Sequence, residues 1–158
     1  MENSELLNLA REFLDYRDGE FIWIKYAGGQ KVGSRAGYLH LNGYRYITFK
    51  GKRTIEHRLA YLWHNPEWDF SDSSQEIDHI NRIRDDNKIE NLRLVTHQEN
   101  NFNRDARGYY WNKQKQKWMA YININGKMIN LGNFDYKTDA RLAHVTAKAK
   151  YHIIEDRK

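Results

Sequence analysis

Four side chains in the middle of the chain have the types and spacing of a metal-assisted phosphodiesterase. Asp78 and His79 are adjacent and follow the apolar Ile77. Asn91 comes twelve residues after His79, and Asn100 nine residues after that. Asp and Asn offer oxygen ligands, which suit a hard cation such as Mg²⁺ or Mn²⁺. Such a cation polarises a phosphate and stabilises the leaving oxygen of an in-line displacement. A histidine with an ordinary pKa of about 6.5 takes a proton from an attacking water near pH 7. Taken singly, these residue types more often serve turns and caps. Their combination within residues 76–104 carries the chemical reading.

The elements that must position them are legible nearby. Leu92 and Leu94 alternate with Arg93, as in a half-buried strand. Thr96 is an expected N-cap, and Glu99, three residues on, completes a capping box. The helix is therefore expected to start near His97 and to carry Asn100 in its first turns, with Asn103 on the same face. A polar loop separates Ile80 from Ile89. The order is strand, loop, strand, helix, with Asp78 and His79 ending the first strand. Folding the hairpin against the helix is expected to bring Asp78, His79 and Asn100 together.

At these residues the sequence resembles the HNH endonucleases of the phage and intron-homing kind. The signature is Asp78-His79, Asn91 and Asn100, with N-K-I-E-N-L-R and Q-E-N-N-F-N beside it. The resemblance implies a ββα-metal fold. It implies Asp78 and Asn100 as metal ligands, His79 as general base, and Asn91 as the residue that fixes the hairpin and orients His79. Relatives usually carry Gly where this chain has Arg82, often followed by a polar residue where it has Ile83. Gly takes positive φ cheaply and Arg does not. Either the loop is reshaped, or Arg82 reaches a phosphate.

Composition narrows the alternatives. The 158 residues suit one or two small domains, with 40% hydrophobic and 14% aromatic residues for a modest core. No Cys is present, which excludes disulfides and a Cys-ligated zinc. No run approaches the ~18 apolar residues of a membrane span. The acidic, amphipathic N-terminus does not fit a signal peptide, so the expected setting is cytoplasmic. Charge is segregated along the chain. Residues 31–58 hold seven Lys/Arg against one acid, residues 59–106 five against ten, and residues 107–158 eleven against four. Two basic segments around an acidic centre suggest a polyanion partner with a cation site between.

The N-terminal part reads as a helix over residues 2–16, built on Leu6, Leu7, Ala10, Phe13 and Leu14. A strand follows the Asp18-Gly19 turn at residues 20–25. Residues 38–50 read as a hairpin around Asn42-Gly43. A helix is expected from Thr54 to His64. It carries His57-Arg58-Leu59, a segment similar to one found before the catalytic motif in phage HNH proteins. His57 reads first as a hydrogen-bonded structural histidine, with ligation or a phosphate contact as the alternative. Residues 65–74 form a polar loop with Pro66 and Trp68. Arg53, Arg58, Arg82, Arg84 and Arg93 are the expected DNA contacts of this part.

After Arg104 the pattern changes. Residues 108–111 and 117–124 read as strands, and Asn125-Gly126 turns the chain into a third from Lys127 to Leu131. Trp118, Ala120, Ile122 and Ile124 share one face, and Lys117, Met119, Tyr121 and Asn123 the other. Gly132-Asn133 ends the strand, Asp135 is a plausible N-cap, and Ala140, Ala143, Ala147 and Tyr151 mark the buried stripe of a helix. The unit resembles the plant ethylene-response-factor type of DNA-binding domain, through Gly108, Trp111, Lys117, Trp118, Ala120, Gly126-Lys127, Leu131-Gly132 and Phe134-Asp135. That resemblance implies a three-stranded sheet lying in the major groove. Lys113, Lys115, Lys117, Tyr121 and Asn123 are its expected DNA contacts.

The expected class is α+β: a ββα-metal nuclease domain over residues 1–104, then a three-stranded antiparallel sheet on one helix over residues 107–158. The expected activity is metal-dependent cleavage of double-stranded DNA, of phage or homing type, with no membrane and no obligate protein partner, as monomer or dimer. The main alternative is a non-catalytic DNA-binding regulator on an inactive nuclease fold. A third reading, RNA binding or cleavage, rests on aromatics near a basic sheet.

Overall fold

The structure is a computed structural model that describes residues 3–69 and 71–155. Glu2 of the expected first helix, Phe70 of the expected 65–74 loop, and the outermost ends of the two expected domains lie outside the described residues. The fold is mixed α and β, and its chain contacts separate two compact units between Leu94 and Val95. The division falls earlier than the 104–107 boundary expected from the sequence. No helix among the described residues is long and apolar enough to cross a membrane.

The first unit opens with α1 (Asn3–Phe13), which buries Leu6, Leu7, Ala10 and Phe13. The helix stops earlier than its apolar spacing suggests. Leu14–Arg17 instead forms β1 and pairs antiparallel with β2, Glu20–Trp23. The two-residue turn between them, Asp18-Gly19, has φ of 46° and 91°, the left-handed pair that matches strand twist. Tyr16 is therefore a strand residue. Its ring meets Phe21 edge-on, and its hydroxyl donates to the backbone oxygen of Asn87.

A second sheet orders β3 (Tyr38–Leu39), β4 (Arg45–Phe49) and β5 (Lys52–Ile55), all antiparallel. The loop at Asn42-Gly43 is wider than a two-residue turn, closed by His40 N–H donating to the Tyr44 carbonyl at 2.9 Å. Thr54 and Ile55 complete β5 opposite Ile47 and Tyr46, so the following helix starts two residues later than expected. Both residues are β-branched, which favours the strand. That helix, α2 (Glu56–His64), turns Glu56 and His57 inward along with Leu59, Ala60, Tyr61 and Leu62. Phe21, Trp23, Ile47, Phe49, Leu59 and Leu62 make the centre of the core. β6 (Gln75–His79) then pairs with β7 (Leu92–Thr96), and a single 3₁₀ turn, Ile89–Asn91, precedes β7.

In the second unit, Thr96 caps α3 (His97–Phe102) with the reciprocal capping box expected from Glu99. β8 (Tyr109–Asn112), β9 (Lys117–Ile124) and β10 (Lys127–Phe134) form an antiparallel sheet with β9 central. Asn125 and Gly126 both take positive φ in the β9–β10 turn. β10 does not end at Gly132-Asn133. It bulges between Asn130 and Gly132 and runs on to Phe134. Glycine at the bulge, with φ 132°, lets the strand absorb the irregularity and continue.

The last helix, α4 (Lys137–Tyr151), is not capped by Asp135. Tyr136 holds the N-cap position, and Asp135 pairs with Lys117 at 2.6 Å. Its buried residues are Ala140, His144 and Ala147, while Tyr151 is exposed. Tyr151 sits in the last turn, where the helix ends. His144 Nδ1 lies 2.9 Å from the Tyr121 backbone oxygen. Gly108, with φ 64°, packs directly on the His144 ring, and a Cβ built there would overlap it.

Candidate active site

The end of β6 carries Asp78 and His79 side by side, and both are buried. Successive strand residues face opposite ways, so this strand end is enclosed on both sides. On Asp78, Arg93 of β7 places Nε at 2.9 Å and Nη2 at 2.7 Å, both on Oδ2. Such a charge-assisted pair is strong and holds the carboxylate in one orientation. Arg93, expected as a DNA contact, is thus committed to Asp78.

His79 is held by a chain of side chains. Its Nε2 lies 2.9 Å from Asn87 Oδ1. Asn87 Nδ2 donates to Glu56 Oε2 at 2.6 Å. Arg35 and Arg45 lie 3.5 and 3.6 Å from that same oxygen, and both also reach Asp85, at 3.3 and 3.0 Å. Burial holds the His79 imidazole below its ordinary range, opposed by Asn87 and Asp78. Burial thus favours the neutral imidazole, the form that accepts a proton. Burial likewise pushes the Glu56 carboxyl up to about 7, against the pull of Arg35, the Phe21 N–H, Arg45 and Asn87.

His57 lies beside this chain, its ring centroid 5.0 Å from that of His79 and 5.1 Å from that of Tyr44. Its Nδ1 is buried and makes no hydrogen bond. Burial, reinforced by His79 and Arg58, brings its pKa down to about 3. It is a neutral core imidazole, without the hydrogen bond at Nδ1 that a purely structural histidine would use.

Asn91 works on the loop. Its Oδ1 accepts from Asn81 N–H at 3.0 Å, and its Nδ2 donates to Asn81 Oδ1 and to the Asp86 carbonyl. These bonds tie Asn91 to both Asn81 and Asp86 of the loop. The side chain that bonds the His79 ring is Asn87. Arg82 takes φ 66°, a left-handed conformation that Gly adopts more cheaply. Asn100 lies on α3 in the second unit, half-buried, one residue after the capping-box Glu99.

The other expected DNA contacts differ in availability. Arg53 is exposed, with its guanidinium 4.3 Å from the Tyr46 ring centroid. Arg84 is exposed, bonds the Asn42 carbonyl at 2.8 Å and lies over Tyr44. Arg58 is half-buried over Trp68. In the second unit, Lys113 and Lys115 stand exposed in the β8–β9 turn, and Asn123 is exposed on β9. Tyr121 is half-buried, and Lys117 is paired with Asp135.

The donor chemistry of the expected metal ligands, one carboxylate and one carboxamide, fits a hard cation. Mg²⁺ commonly takes one or two carboxylates and fills its shell with water and phosphate oxygens. Among the described residues, no group of three or more His, Asp or Glu side chains is placed to hold a metal ion.

Sequence reasoning missed Glu56 and Asn87. Asn87 falls in the polar loop between Ile80 and Ile89, and Glu56 is the one acid of residues 31–58, with no role assigned to either by the sequence. The available signal was the acid directly before His57-Arg58-Leu59, at a position that α2 turns inward.

The family model of the HNH endonucleases matches residues 56–102. The matched segment starts at Glu56 and includes His57, Asp78, His79, Asn87, Asn91 and Asn100. It ends before the three-stranded sheet of the second unit. Neither the curated proteins nor the solved structures contain a match to the chain. The match points to a nuclease-type function acting on DNA.

Proposed function

We propose that the protein is a divalent-metal-dependent DNA endonuclease with His79 as its general base. The observation that carries this reading is the buried His79 ring, held by Asn87 at 2.9 Å and adjacent to Asp78 within the segment that matches the HNH family. Asp78 and Asn100 would hold the cation, with Arg93 keeping the Asp78 carboxylate in place. When bound, the cation supplies charge neutralisation at the scissile phosphate and at its leaving oxygen. His79 takes one proton from a water as the water oxygen attacks phosphorus. The bond from phosphorus to the 3′ oxygen breaks, and that oxygen takes a proton from solvent water to become a hydroxyl. The products are a 5′-phosphate and a 3′-hydroxyl, as in the family resembled.

The second unit is proposed as the DNA anchor. Its support is the excess of Lys and Arg after residue 107 and the exposed Lys113, Lys115 and Asn123 beside a small sheet. Its resemblance to the ethylene-response-factor type of domain, and a phage or homing origin, belong to the same proposal. A second reading, a DNA-binding regulator on an inactive nuclease fold, draws on the Arg93 guanidinium already seated on Asp78.

Supercoiled plasmid incubated with the purified protein decides between them. Open-circle product should form with Mg²⁺ or Mn²⁺, vanish with EDTA and be absent for His79→Ala, while DNA affinity stays unchanged. Loss of binding together with cutting in His79→Ala would make His79 structural. Salt-sensitive binding with no cutting of plasmid or of a random-site library would favour the regulator.

A further inference from the structure

We propose that Glu56 is a positioning residue for the general base, acting through Asn87 to fix which nitrogen of His79 carries the proton. This inference rests on the reading of His79 as the base.

The argument starts from what surrounds Glu56. The side chain is fully buried, and its hydrogen-bonding and ionic neighbours are donors. Oε1 faces the Phe21 N–H at 3.4 Å. Oε2 receives Asn87 Nδ2 at 2.6 Å and faces Arg35 Nη2 at 3.5 Å and Arg45 Nε at 3.6 Å. A carboxylate is acceptor-only, and a carboxamide has one donating and one accepting end. Asn87 must therefore turn its NH₂ toward Glu56, and its oxygen is left facing His79. An oxygen there can only accept, so His79 Nε2 must donate across the 2.9 Å contact. The neutral imidazole then has its proton on Nε2 and its basic lone pair on Nδ1.

The backbone of Asn87 is pinned as well, because Tyr16 donates to its carbonyl at 2.9 Å. The carboxamide can therefore answer to Glu56 without the loop moving. Two cations beside a buried acid would suffice for structure alone. The bond to Asn87 is shorter than the approach of either arginine to Glu56, and it points toward His79.

The test is ¹⁵N NMR of histidine-labelled protein, with His79 assigned by the signals that disappear in His79→Ala. It is run above the pH at which Glu56 ionises. The wild-type spectrum should show His79 as the Nε2–H tautomer. Glu56→Gln keeps the side chain's shape but can present its own NH₂ to Asn87, which lets that carboxamide turn over. This variant should mix the tautomers and lower kcat for plasmid nicking by about tenfold or more, with little change in KM. An Nδ1–H tautomer in the wild-type protein overturns the proposal without any variant. A Glu56→Gln protein that keeps both the Nε2–H signature and full kcat overturns it too. Absence of nicking by the wild-type protein would instead sink the nuclease reading, while the wild-type spectrum still decides the relay.

Discussion

The two units bury polar groups for different reasons. Among the described residues, seven of the nine buried polar or charged ones, Thr54, Glu56, His57, Asp78, His79, Asn87 and Asn91, lie in the first unit. The other two, Glu99 and His144, each serve the local fold of the second, one as half of a capping box and one on a strand carbonyl. In the first unit several of the buried groups bond or face one another across elements distant in sequence. Burying polar groups costs free energy unless partners are supplied. The concentration in the first unit exceeds what caps and strand carbonyls account for in the second. The second unit keeps Lys113, Lys115 and Asn123 in solvent.

The comparison breaks first on pH. The folded Glu56 pKa of about 7 lies above its ordinary 4.5. The stability Glu56 contributes is fully present below 4.5 and is lost as pH rises through 7. His57 runs the other way, because its folded pKa of about 3 lies below 6.5. Its contribution is present above 6.5 and is lost as pH falls toward 3. Between 4.5 and 6.5 the two slopes oppose each other. Denaturant unfolding of Glu56→Gln should therefore gain about 1.4 kcal/mol per pH unit of upward slope relative to wild type. The difference reaches on the order of 3 kcal/mol across the window. Parallel curves for the two proteins would mean that Glu56 is ionised throughout. The carboxylate that polarises Asn87 thus destabilises the fold that holds it, a compromise with no counterpart in the second unit.

Gly108→Ala tests the second unit alone. The new Cβ meets the His144 ring at a position with φ 64°, so overpacking and left-handed strain combine. A loss of about 2 kcal/mol or more is expected in thermal unfolding. Amide exchange should rise in β8, β9 and α4, while the His79 ring signals of the first unit stay where they are. Displaced His79 signals would show that the two interiors are not independent.

The division of roles can be sharpened at the β8–β9 turn. Replacing Lys113 and Lys115 together with Ala removes two cations that both stand exposed in solvent. Each Lys–phosphate pair removed should reduce the log–log salt slope of DNA binding by about one. The double variant should bind more weakly, with a slope lower by about two and an unchanged cutting rate at saturating DNA. An unchanged slope would move the anchor elsewhere.

What the sequence disclosed follows the range of the interactions involved. The Thr96–Glu99 capping box and the Asn125-Gly126 turn act over two to three residues, and both are as expected. The Asp78-His79 pair ends its strand as expected, because Ile77 and the polar loop bracket it. Leu14–Arg17 is not legible as a strand in the sequence. The helical spacing of α1 runs on into Leu14, and only pairing with Glu20–Trp23 decides the issue. The Glu56–Asn87 bond spans 31 residues. Neither residue belongs to a periodic pattern, so the link behind His79 could be found only in three dimensions. The Lys117–Asp135 pair, 18 residues apart, displaced an expected cap in the same way.

The smallest effect concerns Arg82, where this chain departs from the family it resembles. With φ 66°, Arg82 adopts the left-handed conformation despite its side chain. Its N–H donates to the His79 carbonyl at 2.9 Å, closing the turn immediately after His79. A side chain held there costs about 1–2 kcal/mol, and glycine would remove that strain while adding chain entropy to the unfolded state. Arg82→Gly should therefore stabilise the protein by about 0.5–1 kcal/mol. An exposed arginine three residues after His79 has the chemistry of a phosphate contact. The same variant should accordingly bind DNA more weakly, with a salt slope lower by about one. Higher stability with unchanged affinity would reduce Arg82 to a tolerated substitution. Lower stability would mean that the side chain, and not only the backbone turn, supports the loop.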